Sequence, residues 1–216
     1  PIFLILLKIN GVSSNNRKLL LILFSVIPAV NIYTVVCLDG VISASSTLFL
    51  LGIAIILKKP GLRVIGYLLM ALGLVTTNLL TYGGTFLIGI GALLTLVNLL
   101  KEKKHYLLIG YLFSVLSLLV ILFILDKGFN YNHLKGFITA ATIENPGGFR
   151  LFADPINYLL TRFEDIFEIA FYLSFGLLSF FVSGEIVSFD VRNITRDNNQ
   201  ITFVFSSALL IIMFLS

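Results

Sequence analysis

Seven apolar runs, each closed off by short polar punctuation, constrain this chain more than any other feature of its sequence. They lie at Leu19–Val36, Val41–Leu57, Val64–Leu80, Thr85–Leu100, Tyr106–Leu125, Ile166–Val182 and Ile201–Leu215. None alternates apolar with polar residues as a barrel strand does, and a continuous run in lipid must satisfy its own backbone polar groups, which a helix does internally. Several runs hold 16 to 18 residues, slightly short of the ~20 that cross a bilayer core, so tilt, a thinned bilayer or partial burial in protein is expected. Composition agrees: 58% of the residues are hydrophobic, 12% are charged, and the mean hydropathy is +1.03. A soluble domain of this size cannot cover that much apolar surface. The expected fold class is therefore all-α, a polytopic transmembrane helical bundle of about seven spans.

The punctuation supplies a topology. It includes Asn15-Asn16-Arg17-Lys18, Lys58-Lys59-Pro60-Gly61, Tyr82-Gly83-Gly84 and Lys101-Glu102-Lys103-Lys104. Assigned to alternate sides, the cations divide eleven to four. Lys8, Arg17, Lys18, Lys58, Lys59, Arg63, Lys101, Lys103, Lys104, Arg192 and Arg196 share one side; Lys127, Lys135, Arg150 and Arg162 share the other. The excess of cations marks the cytoplasmic face. Acidic residues lean the opposite way, with Asp39, Asp126, Glu144, Asp154, Glu164, Asp165 and Glu168 outside. The plasma (inner) membrane is the expected location. A net charge of +4, spread along the chain, excludes nucleic acid as an expected partner. A single cysteine, Cys37, excludes a disulfide framework or a cysteine-based metal site within the chain. Pro1 at the start and an apolar run still open at Ser216 predict one transmembrane domain, residues 1–216, cut from a longer polypeptide.

The longest connection, about residues 126–165, is expected on the external face with short interfacial helices near Asn132–Thr142 and Pro155–Arg162. Asp154-Pro155 reads as an N-cap followed by proline at the first helical position. His133 stands among Asn and Tyr in this loop and could bind phosphate or a metal; without a second nearby histidine no metal site is expected. His105, beside Lys101–Lys104, reads as a solvated residue. Asp39 either caps a helix beginning near Val41 or faces a wet cavity at the outer interface, and the two roles are compatible. Glu164 and Glu168, four apart, either flank a cavity or are acids at a positive helix end. Pro28 reads as a kink, with Ser25 or Asn31 satisfying the freed groups. Thr76, Thr77 and Asn78 read as helix–helix hydrogen bonds or cavity lining. Asn193-Ile194-Thr195 matches a glycosylation acceptor but falls on the cytoplasmic side. The sequence carries no nucleotide-binding, metalloprotease or nucleophile-elbow motif.

The order of segments carries a resemblance. Ser25-Val26-Ile27-Pro28-Ala29 leads to Tyr33 and Leu38-Asp39-Gly40; Gly66-Tyr67-Leu68-Leu69 leads to Gly73, Asn78 and Tyr82; Gly110-Tyr111 opens another span. The loop then begins Phe129-Asn130-Tyr131-Asn132-His133, and Asn157-Tyr158 with Phe163-Glu164-Asp165-Ile166 leads to Gly176. This layout resembles the middle and C-terminal membrane region of GT-C-type glycosyltransferases that use polyprenyl-phosphate sugars, such as protein O-mannosyltransferases and the lipid A aminoarabinose transferase. The resemblance implies transfer of a sugar from a polyprenyl-phosphate donor to an unknown acceptor on the external face. It places the principal catalytic acid in an N-terminal external loop that precedes this chain, so no catalytic residue is expected here. It implies that Asp39 borders the cavity and that the long loop lies over it. On that footing His133, Arg150 and Arg162 are the phosphate or substrate contacts to consider. The resemblance leaves a divalent cation open as a cofactor, though no residue set calls for one. Other classes stay in view: a transporter, a polymerase or flippase of envelope polysaccharide, and a non-catalytic assembly subunit. Against a transporter, no span carries a buried charge or a recurring broken helix.

Overall fold

The computed structural model describes residues 1–26, 38–102, 105–144 and 154–172, together with Pro146 and Phe152. Among these the secondary structure is helical and no strand occurs. Eight α-helices follow in chain order: α1 (Ile2–Ile9), α2 (Ser14–Val26), α3 (Asp39–Lys58), α4 (Arg63–Leu80), α5 (Thr85–Glu102), α6 (Tyr106–Phe129), α7 (His133–Glu144) and α8 (Pro155–Tyr172).

Among the described residues, four stretches are long and apolar enough to cross a membrane: Gly40–Lys58, Pro60–Leu80, Tyr82–Leu100 and Tyr106–Phe129. They coincide with the second to fifth apolar runs. Of the first run only its start, in α2, is described; the sixth is described as far as Tyr172; the seventh, with Pro28, Asn31, Cys37, Arg150 and Asn193, lies outside the described residues.

Helices α3 and α4 form an antiparallel hairpin whose backbones touch. A Cβ added at Gly52 would lie 2.6 Å from both Gly66 O and Met70 N, and one at Gly73 would collide with the Phe49 backbone. Gly66 in turn sits against Gly52 O and the Ile56 side chain. Small residues at such a seam bring the helices within van der Waals reach, the main packing term available in lipid. The hairpin turns at Lys59-Pro60: Lys59 leaves the helix at φ −130°, and Pro60, lacking an N–H, opens a short 3-10 turn through Leu62. Near the start of α3, where hydroxyls are frequent, Ser45 Oγ donates to Val41 O at 2.5 Å and Thr47 Oγ1 to Ser43 O at 2.7 Å, so these two hydroxyls are satisfied within their own helix.

Helix α6 packs beside α4, with Gly110 accommodating Tyr67 and the Ile56 tip, while α5 rests chiefly on α6. Tyr111 of α6 donates to Ile88 O of α5 at 3.1 Å, and its ring lies against Gly91. The shared core consists of Phe49, Ile53 and Ile56 from α3, Met70 and Leu74 from α4, Leu87, Ile90 and Leu94 from α5, and Leu107 and Leu118 from α6. Much of the remaining apolar surface faces outward, including Val64, Leu68, Leu112, Leu116 and Phe123. That inversion is what a lipid solvent permits.

Two boundaries differ from expectation. The fifth run continues as helix to Phe129, so Asp126 and Lys127 belong to the last turn of α6 rather than to the loop. The helix ends because Asn130 takes a left-handed conformation at φ 54° and Tyr131 N bonds back to Leu125 O at 3.1 Å. Further on, the expected interfacial helix near Pro155–Arg162 and the start of the sixth run are one helix, α8. No Gly or Pro interrupts the stretch after Pro155, and the acids of its middle turn are accommodated without a break.

Candidate functional site

The hairpin alternation puts the start of α3, the end of α4 and the end of α6 at one end of the bundle, which also carries α7. Here the chain turns from α4 to α5 through Thr81 and the turn Tyr82–Gly84. Thr81 Oγ1 accepts from Gly83 N at 3.2 Å, and Thr85 Oγ1 donates to Tyr82 O at 2.8 Å. Asn78 fixes the turn to the helix below it, donating to Leu74 O at 2.9 Å and Gly84 O at 3.2 Å. These hydrogen bonds of Asn78, and that of Thr77, which donates to Gly73 O at 2.7 Å, are thus local and satisfy the end of α4 and its turn.

The tightness of this turn holds Tyr82 out as a platform. Its ring lies 5.0 Å from the His133 ring and 5.8 Å, edge-on, from Phe137. Gly136 is the residue that lets α7 approach: a Cβ there would lie 2.5 Å from Tyr82 Oη. Tyr131 completes the group, its hydroxyl 3.0 Å from His133 Nδ1. Asn132 orients the segment by donating to Asp126 Oδ1 at 3.0 Å and capping α7, where Lys135 N donates to its Oδ1 at 2.8 Å. Burial lowers the His133 pKa below its ordinary value, so the ring is neutral at pH 7. The direction of the Tyr131–Nδ1 hydrogen bond follows the ring tautomer: a phenol donating to Nδ1 leaves the ring proton on Nε2. Burial first, then hydrogen bonding and charge interaction with Tyr82, raise the Tyr131 phenol pKa. The result is an aromatic surface bearing neutral donors and acceptors.

The expected site residues divide. His133 is brought into this cluster. Asp39 is the first residue of α3, one position after the N-cap Leu38, so the helix starts two residues earlier than Val41; the backbone places Asp39 at the same end of the bundle, while its side chain lies outside the described residues. Arg150 also lies outside them. Arg162 pairs with Asp165 at 2.7 Å and reaches over the ring of buried Tyr158 at 5.0 Å, leaving its Nε buried without a hydrogen-bond partner. Asp154 caps α8 as expected, accepting from Asn157 N at 3.3 Å. Glu164 and His105 are exposed, the latter as the N-cap of α6. No group of three metal-ligating side chains occurs among the described residues.

Tyr82, Gly136 and Phe137 were not legible as site residues. Tyr82-Gly83-Gly84 reads as a turn, and nothing in the sequence pairs it with a histidine fifty positions later. At the opposite end a second pairing escaped notice: the Arg63 guanidinium lies 3.5 Å from the Tyr106 ring centroid.

No family model, curated protein or solved structure matches this chain. The class is defined by the fold: a helical membrane protein with at least four membrane-length helices among its described residues.

Proposed function

We propose that the chain is the membrane-embedded part of a glycosyltransferase that draws a sugar from a polyprenyl-phosphate donor and delivers it on the external face. The observation that carries this reading is the return of α7 onto the end of the bundle where α3 begins with Asp39, setting His133, Tyr82, Tyr131 and Phe137 together above the spans. A polyprenyl donor lies in the leaflet with its phosphate and sugar at headgroup level, the level this reading gives to this end of the bundle. Aromatic faces and phenol hydroxyls offer stacking and hydrogen bonds to a sugar, and in the tautomer protonated at Nε2 a neutral imidazole offers its N–H to a phosphate oxygen. In this reading the bundle has seven spans, the residue 126–165 region is external, and the Lys/Arg-rich turns are cytoplasmic. His133 contacts the donor, Asp39 borders the cavity, and Arg150 and Arg162 assist the phosphate.

The test is transfer of radiolabel from a polyprenyl-phosphate sugar in membranes carrying the native protein, Asp39→Asn or His133→Ala. Transfer by the native protein that falls by about 10²-fold or more in Asp39→Asn, at unchanged protein level, supports the reading. Absence of transfer from every donor by the native protein overturns it.

A further inference from the structure

We propose that the end of the bundle opposite Tyr82 holds an anionic phospholipid headgroup in a site formed by Lys59, Arg63 and Tyr106. The inference does not depend on the transferase reading. Lys58, Lys59 and Arg63 fall within six residues, gathered by the 3-10 turn in which Leu62 N bonds to Lys59 O at 2.9 Å. Lys59 is exposed and Arg63 half-buried. The guanidinium is held flat against Tyr106 at 3.5 Å, across the α4–α6 contact, so its direction is set by packing rather than by solvent.

Arg63 also carries an unanswered polar group: its Nε is buried and has no hydrogen-bond acceptor. No carboxylate is paired with Arg63 among the described residues. A planar guanidinium stacked on one face presents its donors edgewise, a geometry that suits phosphate oxygens better than it suits water. The surroundings decide between a lipid and a free anion. Immediately inward of the cations, Val64 and Ile65 of α4 and Ile109 of α6 are exposed and apolar, with Leu68 and Leu112 one turn further. A phosphodiester bearing acyl chains satisfies both the cations and this surface; inorganic phosphate satisfies only the cations. Basic residues at the end of membrane helices attract anionic headgroups, each contributing modestly.

The experiment is native mass spectrometry of the intact protein released from vesicles containing equal phosphatidylglycerol and phosphatidylcholine, for the native chain, Lys59→Gln, Arg63→Gln and Arg63→Lys. Phosphatidylglycerol should be retained preferentially by the native protein, and each lost cation should reduce retention about fivefold. Arg63→Lys should fall between, because it keeps charge but loses the stacked fork. Lys59→Gln touches no packing contact and serves as the variant that folds regardless. Equal retention by native protein and both glutamine variants overturns the site. Displacement of phosphatidylglycerol by millimolar inorganic phosphate overturns the lipid and assigns a soluble anion.

Discussion

At the scale of single residues, two side chains set the character of the Tyr82 end. His133 has a folded pKa below its unfolded value, from burial. The unfolded chain therefore binds more protons between the lowered value and ~6.5, and stability falls as pH drops through that window. Above it the full stability is present. Histidine NMR of the protein in micelles should show one ring titrating below 6.5 and disappearing in His133→Gln; a midpoint at or above 6.5 would contradict the half-buried ring with its lowered pKa. With the phenol donating to Nδ1, Tyr131→Phe removes a hydrogen bond to the neutral ring, so that midpoint should rise. Asn130 supplies a second check. At φ 54° a non-glycine residue without Asn's local hydrogen bonding is disfavoured. Asn130→Ala should cost about 1 kcal/mol and Asn130→Gly little or nothing, read as shifts in thermal unfolding.

At the scale of elements, the α3–α4 hairpin was foreseeable as two apolar runs joined by Lys58-Lys59-Pro60-Gly61. Its seam was not, because glycines in lipid-facing and protein-facing positions look alike in a run where every neighbour is apolar. Period and phase, which identify the buried face of a soluble helix, are weak where both faces are greasy. Packing distances make the distinction: Gly52, Gly66 and Gly73 have no room for a Cβ, whereas one at Gly89 would meet open space. Gly73→Leu should therefore destabilise by about 1–3 kcal/mol in reversible detergent unfolding, while Gly89→Leu should be close to neutral. The α8 boundary shows a related effect. Charges at Arg162, Glu164 and Asp165 mark the edge of a span in the sequence, but Arg162 and Asp165 pair one turn apart and the helix runs through them.

At the scale of the whole molecule, the sequence carried the class and the alternation of four helices, because both follow from run length and from where cations interrupt it. Arg63 meeting Tyr106, and Tyr82 meeting His133, put consecutive turns at opposite ends of the bundle. The cluster around His133 was only half legible: its residues were noted in the loop, but the contact to Tyr82 is a product of the fold. Sidedness can be checked directly. Cysteines placed at Gly61 and at Lys135, in a Cys37→Ser background, should react with an impermeant maleimide from opposite sides of the membrane. Labelling of both from one side would reject the alternation.

The glycine seam also bears on how such a chain can change over time. Outward positions such as Leu68, Leu112 and Leu116 are exposed, and against lipid such positions exchange among Leu, Ile, Val and Phe with little consequence. The three seam positions are closed in by the facing backbone and admit almost nothing but glycine, whereas at Gly136 only the tip of the Tyr82 side chain would have to move. Ancestry in this molecule is thus written in a handful of missing side chains, and two descendants could differ at most of their residues while still closing the same hairpin.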